Sequence, residues 1–151
     1  MPETLRIAHT ESSMGWGGQE IRILCEAAGL IARGHDVVVW AAEGSRLIDE
    51  APRFGVEANA LPIGRKRPAG VAAMMAAMRA RPVDVVNTHS STDSWLAALA
   101  RQSLCIRGHR APPIVRTRHV SVPVARDPAT RWLYRRASAR KDGDMGIGSV
   151  W

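Results

Sequence analysis

Five short apolar runs of strand type alternate along this chain with longer segments whose apolar residues recur at helical spacing. This alternation restricts the fold more tightly than any other feature of the 151 residues. Residues 5–9 (Leu-Arg-Ile-Ala-His) read as a first strand, and a Gly-Trp-Gly-Gly loop follows at 15–18. A helix is expected over 19–33 with Ile21, Leu24, Cys25, Ala28 and Ile31 inward, stopped by Gly34. Residues 37–40 (Val-Val-Val-Trp) are apolar on both faces, as a buried parallel strand requires. Ser45 is placed to cap a short helix with Leu47, Ile48, Ala51 and Phe54 inward and Gly55 at its end, and residues 56–61 fit an edge strand. After a basic loop at 62–68, a helix over 69–81 carries Val71, Met74, Met75 and Met78 on one side, most simply as core packing. Residues 83–86 form a fourth strand, and 91–107 a helix facing inward through Leu96, Leu99, Ala100 and Leu104. Residues 113–117 form a fifth strand, and a proline-punctuated loop at 120–128 leads to a last helix over 129–140.

Strands separated by helices are βαβ units, which close into a parallel sheet with helices on both faces. The expectation is a single α/β, Rossmann-like domain over residues 1–140 with strand order 3-2-1-4-5, followed by an irregular tail at 141–151. Length and an apolar content of 46% fit one globular domain and exclude a disordered chain. No apolar run reaches the ~18 residues that span a bilayer. The opening Met1-Pro2-Glu3-Thr4 lacks the pattern of a secretion signal, and Cys25 and Cys105 form neither a disulfide framework nor a zinc motif. A cytoplasmic location is the default expectation.

The charge is +7, and nineteen of the twenty-one basic residues are arginine. Such an excess either reflects a compositional bias or marks an anionic partner: a phosphorylated ligand, an acidic membrane face or nucleic acid. Nucleic acid is disfavoured, because helix-turn-helix and RRM patterns are missing and one Phe with one Tyr offers little stacking. Arg131, Arg135 and Arg136 surround Trp132, Leu133 and Tyr134, a mixture suited to an acidic membrane surface or to a helix with its aromatics in the core.

Ligands of open α/β sheets bind at the carboxyl ends of the strands, where the strand order reverses. Three of the five histidines fall there: His9 ends the first strand, His89 the fourth and His119 the fifth. Each is either a site residue or a cap on a loop carbonyl. His89 and Asp93 stand four apart, a spacing suited to a general-base pair or to an acid in the first turn of the helix. Gly17, Gly18 and Gln19 open a helix, where glycine amides can approach a phosphate or simply make a tight turn. This is no dinucleotide fingerprint, since residues 11–14 intervene after the strand and Glu20 occupies the third glycine position, while Glu43 is only a weak candidate for a ribose-binding acid. Arg116 and Arg118 would share one side of the fifth strand and clamp phosphate or carboxylate, or belong to a solvated face. GxxxxGK[ST], HExxH, CxxC and GxSxG are missing.

Five segments together resemble the N-terminal, acceptor-side domain of family-4-type glycosyltransferases of the GT-B fold. They are Leu5-Arg6-Ile7-Ala8-His9, Gly17-Gly18-Gln19-Glu20, Ala32-Arg33-Gly34-His35-Asp36-Val37, Val85-Val86-Asn87-Thr88-His89 and Val115-Arg116-Thr117-Arg118-His119. The likeness covers about residues 5–140. It implies retaining transfer from a nucleotide-sugar, used as co-substrate with no cofactor and no obligatory metal, to a glycan or lipid-linked acceptor in bacterial cell-surface glycan or lipopolysaccharide synthesis. By resemblance His89 is the catalytic candidate facing the reacting sugar. Gly17, Gly18, Gln19, Arg118 and His119 would contact donor phosphates or acceptor, with His9, Asp93 and Arg116 in support. A second Rossmann-like domain with a glutamate pair would be expected to follow, so residues 141–151 suggest a truncation or a changed reading frame. Other readings are a free-standing α/β module binding nucleotide or phosphate, and a metal-dependent hydrolase using His9, His89 and His119.

Overall fold

β1 (Arg6–Glu11) occupies the centre of a five-stranded, wholly parallel sheet ordered β3-β2-β1-β4-β5 in the computed structural model, which describes residues 3–119, 127–133 and 135. The other strands are β2 (Asp36–Ala42), β3 (Glu57–Leu61), β4 (Val85–Thr88) and β5 (Ile114–Arg116). The helices are α1 (Gly18–Ala32), α2 (Arg46–Glu50), α3 (Pro68–Ala80), α4 (Ser91–Ile106) and α5 (Pro128–Trp132), and a 3-10 turn (Ala51–Phe54) extends α2. The expected strand order is the observed one.

Strand parity builds two cores, one on each face. Ile7, Val37, Val39 and Ala41 pack on Ile23, Leu24 and Ala27 of α1. Ala8, Val38, Trp40, Val86 and Ile114 pack on Met74 and Met78 of α3 and on Leu96, Ala100 and Leu104 of α4. Because β2 is covered on both sides, Val37 to Ala42 are all buried. Gly34 and Gly55 take left-handed φ values of 90° and 68°, which explains glycine where α1 and the 3-10 turn end. The Ser45 hydroxyl accepts a hydrogen bond from the Leu47 amide at 3.2 Å, the expected cap on α2.

Two helix faces differ from expectation. α1 turns Ile23, Leu24 and Ala27 inward, while Ile21 is 40% exposed and Cys25 is exposed. In α4, Leu99 faces out and Ala97 takes the inward place. Both segments hold more apolar residues than one stripe needs, so periodicity alone admits a rotated face. β1 runs two residues beyond His9, through Thr10 and Glu11, because its ladder with β2 continues to the pair Glu11 and Ala41. β4 begins at Val85, since the Asp84 carboxylate accepts from both the backbone amide and the guanidinium of Arg6. Residues 136–151, which include the end of the expected last helix and the whole tail, lie outside the described residues.

α3 and α4 meet closely at Gly70, where a Cβ atom would stand 3.0 Å from both Leu96 Cδ1 and the Pro62 carbonyl oxygen. Gly70→Val is expected to lower unfolding free energy by about 1–3 kcal/mol through overpacking. Gly29→Ala, on an α1 position open to solvent, should raise it by about 0.5–1 kcal/mol. Urea unfolding of both variants checks the pair, and equal effects of one sign would contradict the packing described.

Candidate functional site

Parallel register assembles the histidines. His9 stands opposite Asn87, and Asn87 stands opposite Val115. His89 follows two residues after Asn87, and Thr117, whose hydroxyl lies 2.8 Å from Asn87 Oδ1, leads to His119. Each histidine is therefore displaced towards the carboxyl end relative to the one before it. The three rings line up on the α1 side of the sheet. Nδ1 of His9 lies 2.8 Å from Nε2 of His89, and Nδ1 of His89 lies 2.9 Å from Nε2 of His119. Successive ring centroids are 5.1 Å apart and nearly parallel.

His9 and His89 are buried and His119 is half-buried. Burial holds the pKa of His9 down at about 4. Burial, then repulsion from His9, His119 and Arg22, lowers that of His89 still further. Both rings are therefore neutral at pH 7. The ring nitrogens point at one another in a chain and do not converge on a common point. Among the described residues no group of three or more His, Cys, Asp or Glu is arranged to hold a metal ion.

Asp93 does not touch the His89 ring. Its oxygens accept from the backbone amides of His89 (3.1 Å) and Ser90 (3.0 Å), from Ser12 Oγ (3.2 Å) and from the Thr10 hydroxyl. The expected general-base pair is thus replaced by an acid that fastens the start of α4 to β1. Burial pushes the Asp93 carboxyl up to about 7, assisted by the Glu11 charge and opposed by hydrogen bonds from Thr10 and the His89 amide.

Glu11 is the residue that motif reading passes over. It is fully buried at the end of β1 and accepts from Ser90 Oγ, from Gln19 Nε2 and from the Ser13 amide at 2.8 Å. It thereby ties the glycine loop to the starts of α1 and α4. The available signal was parity, because Ile7, His9 and Glu11 share one strand face.

The glycine loop differs from a phosphate cradle. The Gly17 amide donates to Glu20 Oε2 at 2.9 Å, and the Gly15 amide to Ser13 Oγ at 3.0 Å. Glu20 is buried beneath the loop, so the start of α1 already carries an anion of its own, and Gly15 and Gly18 face solvent while Gly17 is half-buried. Glu43 is exposed beyond β2. β5 ends at Arg116, so the shared side expected for Arg116 and Arg118 is not built. Arg116 is half-buried with the parity of Ile114 and Thr88, and Arg118 is exposed beyond the strand. Near α5, Trp132 stacks on Trp95 at 5.8 Å and Leu133 is buried, whereas Arg131 and Arg135 are exposed. Tyr134 and Arg136 lie outside the described residues. A cleft of about 310 Å³ opens among Arg6, Met78, Arg79, Val83, His109 and Arg110, at the amino ends of β1 and β4 and away from His9, His89 and His119.

The family model described as Glycosyltransferase Family 4 matches residues 16–143. The chain belongs to glycosyltransferase family 4. No curated protein matches it. The family-4 domain is similar in fold to a glycosyltransferase from Rickettsia africae, with a TM-score of 0.60 and 18% identity over 80% of this chain and 31% of that one. It is also similar to MurG from Acinetobacter baumannii, with a TM-score of 0.60 and 15% identity over 90% of this chain and 40% of that one. The glycotransferase of kitacinnamycin gives 0.53 and 19% over 89% of this chain and 39% of that one. The chain thus spans 31–40% of the length of these structures.

In this family-4 domain Asp93 keeps a proton over a range in which an unfolded aspartate, with a pKa of about 3.9, has lost it. The folded state therefore binds more protons, and wild-type stability measured against Asp93→Asn should fall as pH rises from about 4 to about 7. His9 acts in the opposite sense: its lowered pKa contributes stability above pH ~6.5 that is lost as pH falls through about 4. Urea unfolding of wild type and Asp93→Asn at a series of pH values isolates the carboxyl, and a difference independent of pH would show that Asp93 is not held protonated.

Proposed function

We propose that this chain is the acceptor-side half of a retaining glycosyltransferase that uses a nucleotide-sugar as co-substrate. The acceptor would be a glycan or lipid-linked sugar of bacterial cell-surface or lipopolysaccharide synthesis, modified on the cytoplasmic side. The observation that carries the reading is the line of three hydrogen-bonded histidines at the carboxyl ends of β1, β4 and β5 in a family-4 domain. Such a line offers a preorganised polar group in a desolvated setting, where stabilisation of developing charge is strongest. The reaction calls for no bound cofactor and no metal.

Two other readings are less well supported. A free-standing phosphate-binding module would use the start of α1, where Glu20 already stands. A metal hydrolase would need convergent imidazoles, whereas these rings use their nitrogens on one another.

In this reading most contacts to the nucleotide-sugar come from a second Rossmann-like domain. Residues 1–151 alone are then expected to show no transfer and no micromolar donor affinity, since losing several contacts of ~1–3 kcal/mol each weakens binding by orders of magnitude. Calorimetry and a transfer assay with common nucleotide-sugars test this, and measurable turnover by residues 1–151 would overturn the half-enzyme reading. Paired with such a second domain, the His89→Ala variant should lower kcat/KM by about 100-fold or more with the fold retained. Unchanged kinetics would remove His89 from the site.

A peripheral contact with acidic membranes now rests on exposed cations such as Arg131 and Arg135, because Trp132 and Leu133 pack inward. Co-sedimentation with anionic vesicles should exceed that with neutral ones and fall with salt. Equal binding to both would remove this contact.

A further inference from the structure

Nε2 of His9 is buried and has no hydrogen-bond partner among the described residues. It is the inner end of the histidine line, and it constrains the outer end. Three neutral imidazoles carry three ring protons in all. Two of them occupy the bridges between His9 and His89 and between His89 and His119. The third must sit at one end, on Nε2 of His9 or on Nδ1 of His119. Only two arrangements exist, and they run in opposite directions.

In the first, every ring is protonated on Nε2. His119 then donates to His89, His89 donates to His9, and the Nε2–H of His9 is left buried without an acceptor. In the second, every ring is protonated on Nδ1. His9 donates to His89, His89 donates to His119, and the buried Nε2 of His9 is a bare lone pair. In protein interiors orphaned N–H groups are rarer than under-satisfied carbonyl acceptors, and we extend the same order to the ring nitrogen. A fourth proton is disfavoured by the burial that keeps His9 and His89 neutral.

We propose that His9 is a positioning residue whose unpartnered inner nitrogen sets the direction of the whole line, so that half-buried His119 presents an Nδ1–H donor at the carboxyl edge of the sheet. His119 is then a hydrogen-bond donor to an acceptor oxygen of the substrate, and it does not act as a general base. Acting as a base through Nδ1 would require the reversed arrangement, with a buried orphan donor on His9. The direction of the line follows from the buried, unpartnered Nε2 of His9 and the greater cost of an orphan donor there, and only its service to a substrate oxygen rests on the glycosyl-transfer reading.

Two-bond proton–nitrogen correlation spectra of the ¹⁵N-labelled chain near pH 7.5, without substrate, read the ring nitrogens directly. The expected result is three neutral rings, each with a protonated Nδ1 and a bare Nε2. Protonated Nε2 on these rings, or rings that are cationic at this pH, would overturn the proposal whether or not the protein transfers sugar. Position 9 is tested by two variants. His9→Asn keeps an N–H donor near the place of Nδ1 and should leave His89 and His119 protonated on Nδ1. His9→Asp puts an acceptor there and should move both to Nε2. Retention of Nδ1–H on His119 in a folded His9→Asp variant would show that position 9 does not set the direction. Should that variant not fold, the wild-type spectrum still decides between the two arrangements.

Discussion

Parallel pairing of β1 with β4, with Ile7 opposite Val85 and Thr10 opposite Thr88, is the contact on which both the core and the site depend. It joins two strands that are neighbours in space and far apart in the chain, at the point where the strand order reverses. The register is fixed from both faces. On one side Ala8 and Val86 enter the α3 and α4 core, and Thr10 reaches Asp93. On the other side Ile7 enters the α1 core, while His9 reaches His89 and Glu11 reaches Ser90. A slip of one residue would exchange these faces. It would place the imidazole among the methionines and leucines and strand Asp93 without its threonine. The same apolar alternation that stabilises the sheet therefore aligns the polar groups.

Much of this architecture was legible in the residues. Alternating strand and helix segments, with Val37 to Trp40 apolar on both faces, could be accommodated only by a covered parallel sheet. Strand order, the edge position of β3 and the helix stops at Gly34 and Gly55 follow from connection rules and turn chemistry. The alignment of His9, His89 and His119 also followed, because His9 lies in the carboxyl half of β1 and His89 and His119 lie just beyond β4 and β5, three adjacent strands. The rotated faces of α1 and α4 did not. Helices rich in Ala, Ile and Leu present several apolar stripes of similar quality, and which one is buried depends on the partner surface.

The polar network at the site was the least legible part, for a different physical reason. Glu11 and Glu20 belong to no motif, and neither has a metal-ligand or catalytic spacing to mark it. Their roles arise from buried amide and hydroxyl donors contributed by other elements: Ser90 and Gln19 for Glu11, and the Gly17 amide for Glu20. Sequence spacing locates a residue on an element, whereas a hydrogen-bond partner depends on how elements meet. Asp93 illustrates the same limit. Its place four residues after His89 is right for a ring contact, yet the start of α4 has backbone amides that need an acceptor. Those amides claim the carboxylate, and the His89 ring turns to other imidazoles.

The two edges of the sheet also divide the electrostatic work. At the amino edge, charges pair in the open: Arg6 with Asp84, and Arg81 with Asp36 and Glu57. Such exposed pairs are screened and contribute little beyond orientation. At the carboxyl edge the polar groups are withdrawn from water, with His9, Glu11 and Asp93 all buried. Burial on that scale is costly unless each group is satisfied. The carboxylates are satisfied by surrounding donors, and the histidines mostly by one another. Glu20 complements the dipole at the start of α1 and takes the Gly17 amide. At the rim, Gly18 and Arg118 are exposed and His119 is half-buried. The buried network beneath them, with Glu11 accepting from Ser90, Gln19 and the Ser13 amide, ties the end of β1 to the starts of α1 and α4.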